Sequence, residues 1–236
     1  MGFENIGVMF PVALPWLALI ALFSALATWQ HPIRPTNMLD IKLTALDYAT
    51  LAVNFIGLSS IAVTWHRHVI AHENPRLVPP FRIDKPVIGY GASNLLLGLV
   101  LALPLSLLII LAVILPVAFV PFVAGAMIIF SIFTIRLSLR LVAIAISKPD
   151  LTFQKAFETT RGNNFAILCI MLGAMLATLV AAVIAEVLAK NISQINLKLD
   201  LPLSILFAIP AQFVGLIVIN AMLSTLYLYF VEGKDL

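Results

Sequence analysis

Between Lys85 and Arg136 the chain runs for 50 residues without an Asp, Glu, Lys or Arg. A helix rises about 1.5 Å per residue, so this stretch is far longer than one crossing of a hydrocarbon core about 30 Å thick. It therefore has to cross a bilayer twice. Other uncharged runs occupy residues 5–33, 48–65, 162–185 and 201–231. Together these runs predict an integral membrane protein.

The composition leaves little room for a soluble domain. Hydrophobic residues make up 62% of the chain and charged residues only 11%, against about 25% charged in an ordinary soluble domain. We therefore expect a single integral membrane domain over residues 1–236, with an all-α fold: a polytopic bundle of about six transmembrane helices. The predicted crossings are residues 6–29, 45–67, 93–115, 120–146, 164–189 and 203–231. Pro116 and Pro121 break the longest run, so its two helices should form an antiparallel hairpin.

The first crossing has a second interpretation. Its end, Ala25-Leu26-Ala27, is similar to a signal-peptide cleavage site. However, no Lys or Arg precedes it, and the apolar segment exceeds the usual ~7–15 residues. We expect a retained helix; cleavage would leave five crossings with unchanged sidedness.

Basic residues predict the orientation, because cytoplasmic loops carry an excess of Lys and Arg. One side of the membrane receives both termini and the 66–92 and 147–163 loops. That side carries eight basic residues: Arg67, Arg76, Arg82, Lys85, Lys148, Lys155, Arg161 and Lys234. The other side carries four: Arg34, Lys42, Lys190 and Lys198. Both termini should therefore be cytoplasmic.

Each of the last five crossings holds a glycine: Gly57, Gly98, Gly125, Gly173 and Gly215. Small residues let helix backbones approach closely in lipid. We expect these glycines to pack a compact bundle; the alternative is a dimerisation face between copies of the protein.

The 66–92 loop opens with three histidines and a carboxylate, His66, His68, His72 and Glu73. Imidazole and carboxylate groups are ligands for zinc or iron. The fourth histidine, His31, lies on the opposite side of the membrane, which disfavours a larger metal site. We therefore expect no metal and no cofactor. Trp65 should anchor the helix end at the headgroups, and Arg67 should reach lipid phosphate.

The 147–163 loop predicts a short amphipathic helix over residues 150–161, lying at the membrane interface. Asp150 is the expected N-cap, and Gly162 the expected left-handed stop. The membrane-facing side should contain Leu151, Phe153, Ala156, Phe157 and Thr160, with Arg161 facing outward. This helix should bind anionic lipid or dock another membrane protein.

Arg136 and Arg140 stand four residues apart in the fourth crossing, on one face of the helix. They are expected either to snorkel to the headgroups or to bind a lipid phosphate or a partner carboxylate between helices. In contrast, the groups expected at mid-depth are neutral: Asn54, Gln212 and Asn220. A proton-coupled pump is therefore disfavoured, and the absence of phosphate-loop, zinc-protease and nucleophile-elbow motifs gives no support for an enzyme.

Several short motifs resemble known bacterial membrane proteins. They are Trp65-His66-Arg67 followed by Glu73-Asn74-Pro75, the Arg136–Arg140 pair, Pro149, and the run from Ala156 to Asn163. Over residues 45–231 the chain resembles the membrane domain attached to some glycerophosphoryl diester phosphodiesterases, and the related YciC-like proteins. The resemblance implies a bacterial inner-membrane protein with its functional surface on the cytoplasmic loops. In those fusions the chemistry belongs to an attached soluble barrel, so no phosphodiesterase activity is implied.

We therefore predict a non-enzymatic membrane protein that acts by binding. Its most favoured role is an accessory or assembly subunit of a larger membrane complex; the alternative is a lipid-handling or small-molecule transporter. Expected partners are anionic membrane lipids or another integral membrane protein, and no nucleic acid. The candidate binding residues are Trp65, His66, Arg67, Arg136, Arg140, Phe153, Phe157 and Arg161.

Overall fold

The computed structural model describes residues 4–30, 43–75, 78–114, 117–148, 150–193 and 200–234. Within these ranges the chain is helical, and its seven α-helices are α1 (Glu4–Gln30), α2 (Ala45–Ala71), α3 (Lys85–Ile114), α4 (Val120–Ala145), α5 (Phe153–Thr159), α6 (Asn164–Ser193) and α7 (Asp200–Phe230). Several residues named above lie outside the described ranges: His31, Arg34, Lys42, Arg76, Pro116, Pro149 and Lys198.

All helices except α5 are long and apolar enough to cross a membrane. This confirms the all-α fold and the six predicted crossings, and the chain is a multi-pass membrane protein. The α3–α4 hairpin is also present: a single 3-10 turn, Val117–Phe119, precedes α4, and α3 and α4 pack against each other.

Side chains at the helix ends explain where α2 and α3 begin. Thr44 and Asp47 form a capping box, in which the Thr44 N–H donates to Asp47 Oδ2 (2.7 Å) and the Asp47 N–H donates to Thr44 Oγ1 (3.3 Å). In α3, Asp84 Oδ1 accepts from the Val87 N–H at 3.2 Å. Asp84 thus caps α3 at Lys85, whereas the sequence placed the helix start at residue 93.

The core lies mainly toward one end of the bundle, here called the packed end, where the described residues of the 72–84 and 146–163 connections lie. Contacts bring the start of α1 and the segment after α7 to it. His68 Nε2 lies 3.3 Å from Asn5 Oδ1 near the start of α1, and Lys148 Nζ lies 2.7 Å from Glu232 Oε1 just after α7. The start of α1, the two connections and the segment after α7 therefore lie at the same end of the bundle, as predicted.

Only some of the five glycines pack helices together. A Cβ on Gly57 would lie 2.9 Å from Trp16 Cε3, and one on Gly215 would lie 3.1 Å from Thr178 Cγ2. These glycines bring α2 against α1 and α7 against α6. By contrast, a Cβ on Gly98, Gly125 or Gly173 would meet nothing within 4 Å. The expectation that all five pack the bundle is wrong, because these three face away from neighbouring helices.

Helix α5 is shorter than predicted and is oriented differently. It begins after Thr152, whose Oγ1 accepts from the Lys155 N–H at 3.2 Å, so Thr152 and not Asp150 is the N-cap. Leu151, Ala156 and Thr160 are buried against the bundle, and α5 packs on α4. These three residues therefore face protein rather than membrane. Gly162 adopts the predicted left-handed conformation, with φ of 86°.

Candidate functional site

Two arginine side chains with buried guanidinium nitrogens lie where α4, α5 and the first residue of α6 meet. Arg136 and Arg140 lie on one face of α4, one turn apart. Helix α5 packs on α4 at this face, where its Phe157 and Phe153 rings contact the guanidinium groups of Arg136 and Arg140. We call Arg136, Arg140, Phe153, Phe157 and Asn164 the arginine site.

Arg136 is almost completely enclosed, with 5% of its surface exposed. Its Nη2 donates a hydrogen bond to Asn164 Oδ1, and its guanidinium carbon lies 4.9 Å from the ring centroid of Phe157. The Phe157 ring also lies 5.5 Å from that of Phe133 on α4. Within the described residues, the buried Arg136 Nε has no hydrogen-bond partner. Arg136 therefore does not extend to the surface as a snorkelling side chain does.

Arg140 repeats this arrangement one turn further along α4. Its guanidinium carbon lies 4.7 Å from the ring centroid of Phe153, and its buried Nε likewise lacks a partner among the described residues. No described carboxylate forms a salt bridge with Arg136 or Arg140. Two adjacent positive charges are thus held against aromatic faces and a neutral amide.

A small cavity of about 180 Å³ opens beside Arg136. Arg136, Phe157 and Asn164 line it together with apolar side chains of α4: Ile129, Ile132 and Phe133. A guanidinium presents several N–H donors in a planar fork suited to carboxylate or phosphate oxygens. The cavity therefore places hydrogen-bond donors in a largely apolar space of a size that accepts a small anionic group.

Two predicted binding residues are part of the core. Trp65 and His66 on α2 have 3% and 0% of their surface exposed, respectively. His66 Nδ1 lies 2.8 Å from Ser224 Oγ on α7, and its ring lies 6.1 Å from that of Tyr90 on α3. Trp65 and His66 therefore lie in the core and not on the surface expected at the end of α2, because α3 and α7 enclose this part of the helix.

Arg67 belongs to an ion-pair network rather than to an open surface. Its Nε donates to Glu73 Oε2, and its Nη1 lies 3.2 Å from Ser147 Oγ at the end of α4. Arg82 Nη1 lies 3.0 Å from Glu73 Oε1, and Arg82 also pairs with Asp84 at 2.6 Å. The network ties the 72–84 connection to α2 and α4.

Electrostatics in this network favour the ionised form of Glu73. Partial burial opposes ionisation, but the hydrogen bond from Arg67 and the charges of Arg82 and Arg67 outweigh it. The pKa of the Glu73 carboxyl is consequently below its ordinary value.

The histidines of the 66–92 loop do not converge on a common point. His68 Nδ1 lies 3.0 Å from the Glu73 carbonyl oxygen, and its Nε2 contacts Asn5. His72 ends α2 in a left-handed conformation, with φ of 54°. The part of the chain that the structure describes contains no group of three or more His, Cys, Asp or Glu residues placed to hold a metal ion.

The neutral polar residues expected at mid-depth differ in their contacts and exposure. Asn54 Nδ2 donates to the Thr50 carbonyl at 2.9 Å, and Asn220 Nδ2 donates to the Leu216 carbonyl at 2.8 Å, each within its own helix. Asn220 is 2% exposed, whereas Gln212 lies on an exposed position of α7.

The structure adds Asn164 to the arginine site and Phe133 to the cavity beside it, and neither was a predicted site residue. Asn164 follows the left-handed Gly162 at the very start of α6, where a polar residue is easily attributed to helix capping. Phe133 stands among many apolar residues of α4 with no distinguishing signal. Arg161, by contrast, was predicted correctly to face outward: it is exposed beyond the end of α5.

Comparisons with known protein families, with characterised proteins and with solved structures find no match to this chain. The resemblance to the phosphodiesterase-associated membrane domain therefore remains a prediction.

Proposed function

We propose that this chain is a non-enzymatic multi-pass membrane protein that acts by binding, and that its ligand is an anionic phospholipid. The observation that carries the proposal is the enclosed Arg136 guanidinium, which has no described carboxylate partner and borders a cavity shared with Asn164. A phosphate in that cavity would supply the missing negative charge.

An enclosed charge without a counter-charge destabilises the folded protein. Burying an ion has a desolvation cost of several kcal/mol even after local relaxation. The Phe157 ring offsets only part of this, about 2 kcal/mol when desolvated. A phosphate oxygen adds charge-assisted hydrogen bonds, about twice as strong as neutral ones, and Arg140 lies one turn away to share the charge.

The excess of Lys and Arg at the packed end supports a cytoplasmic location for the arginine site. The cytoplasmic leaflet is the one rich in anionic lipids. In a bacterial inner membrane, the location that we propose, the natural ligands would be phospholipids with a net negative headgroup.

The test is the lipid that co-purifies with the protein from its own membranes, quantified by mass spectrometry. Replacing both Arg136 and Arg140 by Gln should lower bound anionic phospholipid at least about tenfold, since each lost charge-assisted contact is worth about 1.5–3 kcal/mol. Arg161→Gln is the comparison, because Arg161 is also a predicted binding residue but is exposed. A loss of lipid in the double variant that exceeds the loss in Arg161→Gln assigns the binding to the arginine site. Unchanged anionic lipid in the folded double variant would contradict the proposal.

Arg136→Lys separates charge from shape. Lysine keeps the positive charge but loses the planar fork that matches phosphate oxygens. We therefore expect retention of anionic lipid between that of the wild type and that of Arg136→Gln. Retention as low as that of Arg136→Gln would favour recognition by the fork over simple charge attraction.

A second candidate function is an accessory subunit of a membrane complex. One face of α6 carries Cys169, Gly173 and Ala177 at four-residue spacing, and all three are exposed. Small residues on an outward helix face let a second transmembrane helix approach closely. This arrangement supports an α6 interface with a partner protein.

The test of that interface is a thiol-directed crosslinker attached to Cys169 in native membranes. A single crosslinked species that disappears in Gly173→Leu but persists in Gly98→Leu is the expected result. Both glycines have open space around them, so neither change should disturb the fold. Equal crosslinking in both variants would exclude α6 as the interface.

A further inference from the structure

A second, larger cavity lies between α4, α6 and α7. It has a volume of about 800 Å³ and is open on one side. Its walls are apolar apart from three hydroxyls, and each of these already donates to a carbonyl of its own helix: Thr134 to Phe130, Ser138 to Thr134 and Thr178 to Ala174. The groove therefore lacks polar groups that require a polar ligand.

The groove and the arginine site share two helices, α4 and α6. On α4 the groove residues Thr134 and Ser138 lie on the face away from Arg136, so α6 is the helix that connects the two sites. On α6, Met171 of the groove lies seven residues after Asn164, on the same helix face. A ligand whose charged group contacts Arg136 and Asn164 would thus have its apolar portion directed along α6 toward the groove.

The length of the groove matches one leaflet of a bilayer. Its lining on α6 runs from Met171 to Ala182, about 17 Å at 1.5 Å per residue. Half of a hydrocarbon core about 30 Å thick is about 15 Å. The volume falls in the range of about 300–1,000 Å³ that is typical of small-molecule sites.

The lining side chains suit a flexible apolar chain. Met171, Met175 and Met222 line the groove, and the unbranched thioether of methionine adapts to irregular apolar shapes. Helix α6 packs mainly against α7 and much less against α4, which leaves the α4–α6 side open for a chain to enter from the membrane.

We propose that this groove binds one fatty acyl chain of the phospholipid whose phosphate occupies the arginine site. The inference rests on the proposed function for the headgroup, and it extends that function from a surface contact to a whole lipid molecule held by the protein. One acyl chain lies between α4 and α6 while the second remains in the surrounding bilayer.

The experiment uses full-length protein in vesicles containing phosphatidylglycerol with a photoactivatable group midway along one acyl chain. Labelled residues are located by mass spectrometry. We expect labelling to concentrate on Met175 and Met222. Ala174→Leu, which adds bulk inside the groove, should reduce that labelling about tenfold. The matched control is Ala177→Leu on the same helix, because Ala177 is exposed and does not line the groove.

Labelling spread evenly over outward-facing positions such as Leu99, with Ala174→Leu and Ala177→Leu behaving alike, would overturn the groove proposal. The headgroup is tested separately with phosphatidylcholine carrying the same chain. Equal groove labelling by both lipids, unaffected by replacing Arg136 and Arg140 with Gln, would overturn the headgroup function while supporting the acyl-chain site. If labelling depends on the two arginines but is not concentrated in the groove, the headgroup function is supported and the acyl-chain site is overturned.

Discussion

The Arg136 guanidinium lies against the face of Phe157, with its carbon 4.9 Å from the ring centroid. This contact joins a transmembrane helix, α4, to the short helix α5 that follows it. It explains how a positive charge can be held inside an apolar bundle: the aromatic face attracts the cation and also excludes water. The stability of α5 on the bundle and the environment of Arg136 are consequently coupled.

Phe157→Leu should destabilise the protein by about 1–2 kcal/mol, because it removes both the cation–π contact and the aromatic contact with Phe133. Thermal unfolding in detergent micelles measures the change. Phe165→Leu is the control, because Phe165 is 78% exposed at the start of α6. Equal midpoints for the two variants would argue against a stabilising role of the Phe157 ring.

Gly57→Ala should destabilise the α1–α2 contact by about 1–3 kcal/mol, the usual cost of overpacking. The added methyl would lie 2.9 Å from Trp16 Cε3 and 3.2 Å from Ile20 Cδ1. Gly98→Ala meets no atom within 4 Å, so it should be neutral or stabilise α3 by up to about 1 kcal/mol. We expect a lower unfolding midpoint for Gly57→Ala and an unchanged or higher one for Gly98→Ala, and a stabilised Gly57→Ala variant would contradict the packing at this position.

Ser224→Ala should cost about 1–3 kcal/mol of unfolding free energy, because it leaves the buried His66 Nδ1 without its partner. Ser106→Ala removes a hydroxyl from an exposed position of α3 and serves as the control. Denaturant titration of both variants in the same detergent gives the comparison. A neutral Ser224→Ala variant would show that this hydrogen bond contributes little.

Lowering the pH should weaken the ion pairs that hold the 72–84 connection, because it protonates the Glu73 carboxylate. Its pKa is lower in the folded protein than in the unfolded chain, where it is about 4.3, so the unfolded state binds the proton more tightly. The stabilisation is complete above the unfolded pKa and is lost as the pH falls through the folded pKa. Glu73→Gln should therefore be less stable at neutral pH and show a flatter decline below about pH 4.

The pH dependence is measured as the unfolding midpoint from pH 7 to pH 3, with Glu158→Gln on the exposed side of α5 as the control. An acid decline in Glu73→Gln as steep as that of the wild type would show that Glu73 is not the group responsible. An equally flattened profile for Glu158→Gln would show that the effect is not specific to the network.

The membrane class and the six crossings were predictable because they depend on local composition. The thickness of the hydrocarbon core sets the length of an apolar helix, and uncharged runs can be counted along the chain. The helix ends were less predictable. The side chains of Asp84 and Thr152 decided where α3 and α5 begin, and both compete with nearby residues that cap equally well in principle.

The inward face of each helix was not readable from the sequence. In a membrane helix nearly every face is apolar, so no amphipathic pattern distinguishes the protein side from the lipid side. This is why Trp65 and His66 were predicted at a surface but lie in the core, and why Gly173 was expected in the core but lies outside. Asn164 was missed because its contact with Arg136 joins residues 28 positions apart.

The sequence by itself determined that this protein crosses a membrane, how many times, and which segments share an end of the bundle. Those properties follow from the cost of placing charge and unpaired backbone groups in hydrocarbon. Only the tertiary structure decided that α5 covers the two arginines and that a groove opens between α4, α6 and α7. Both depend on long-range packing between helix faces of nearly equal hydrophobicity, where shape rather than polarity selects the neighbours.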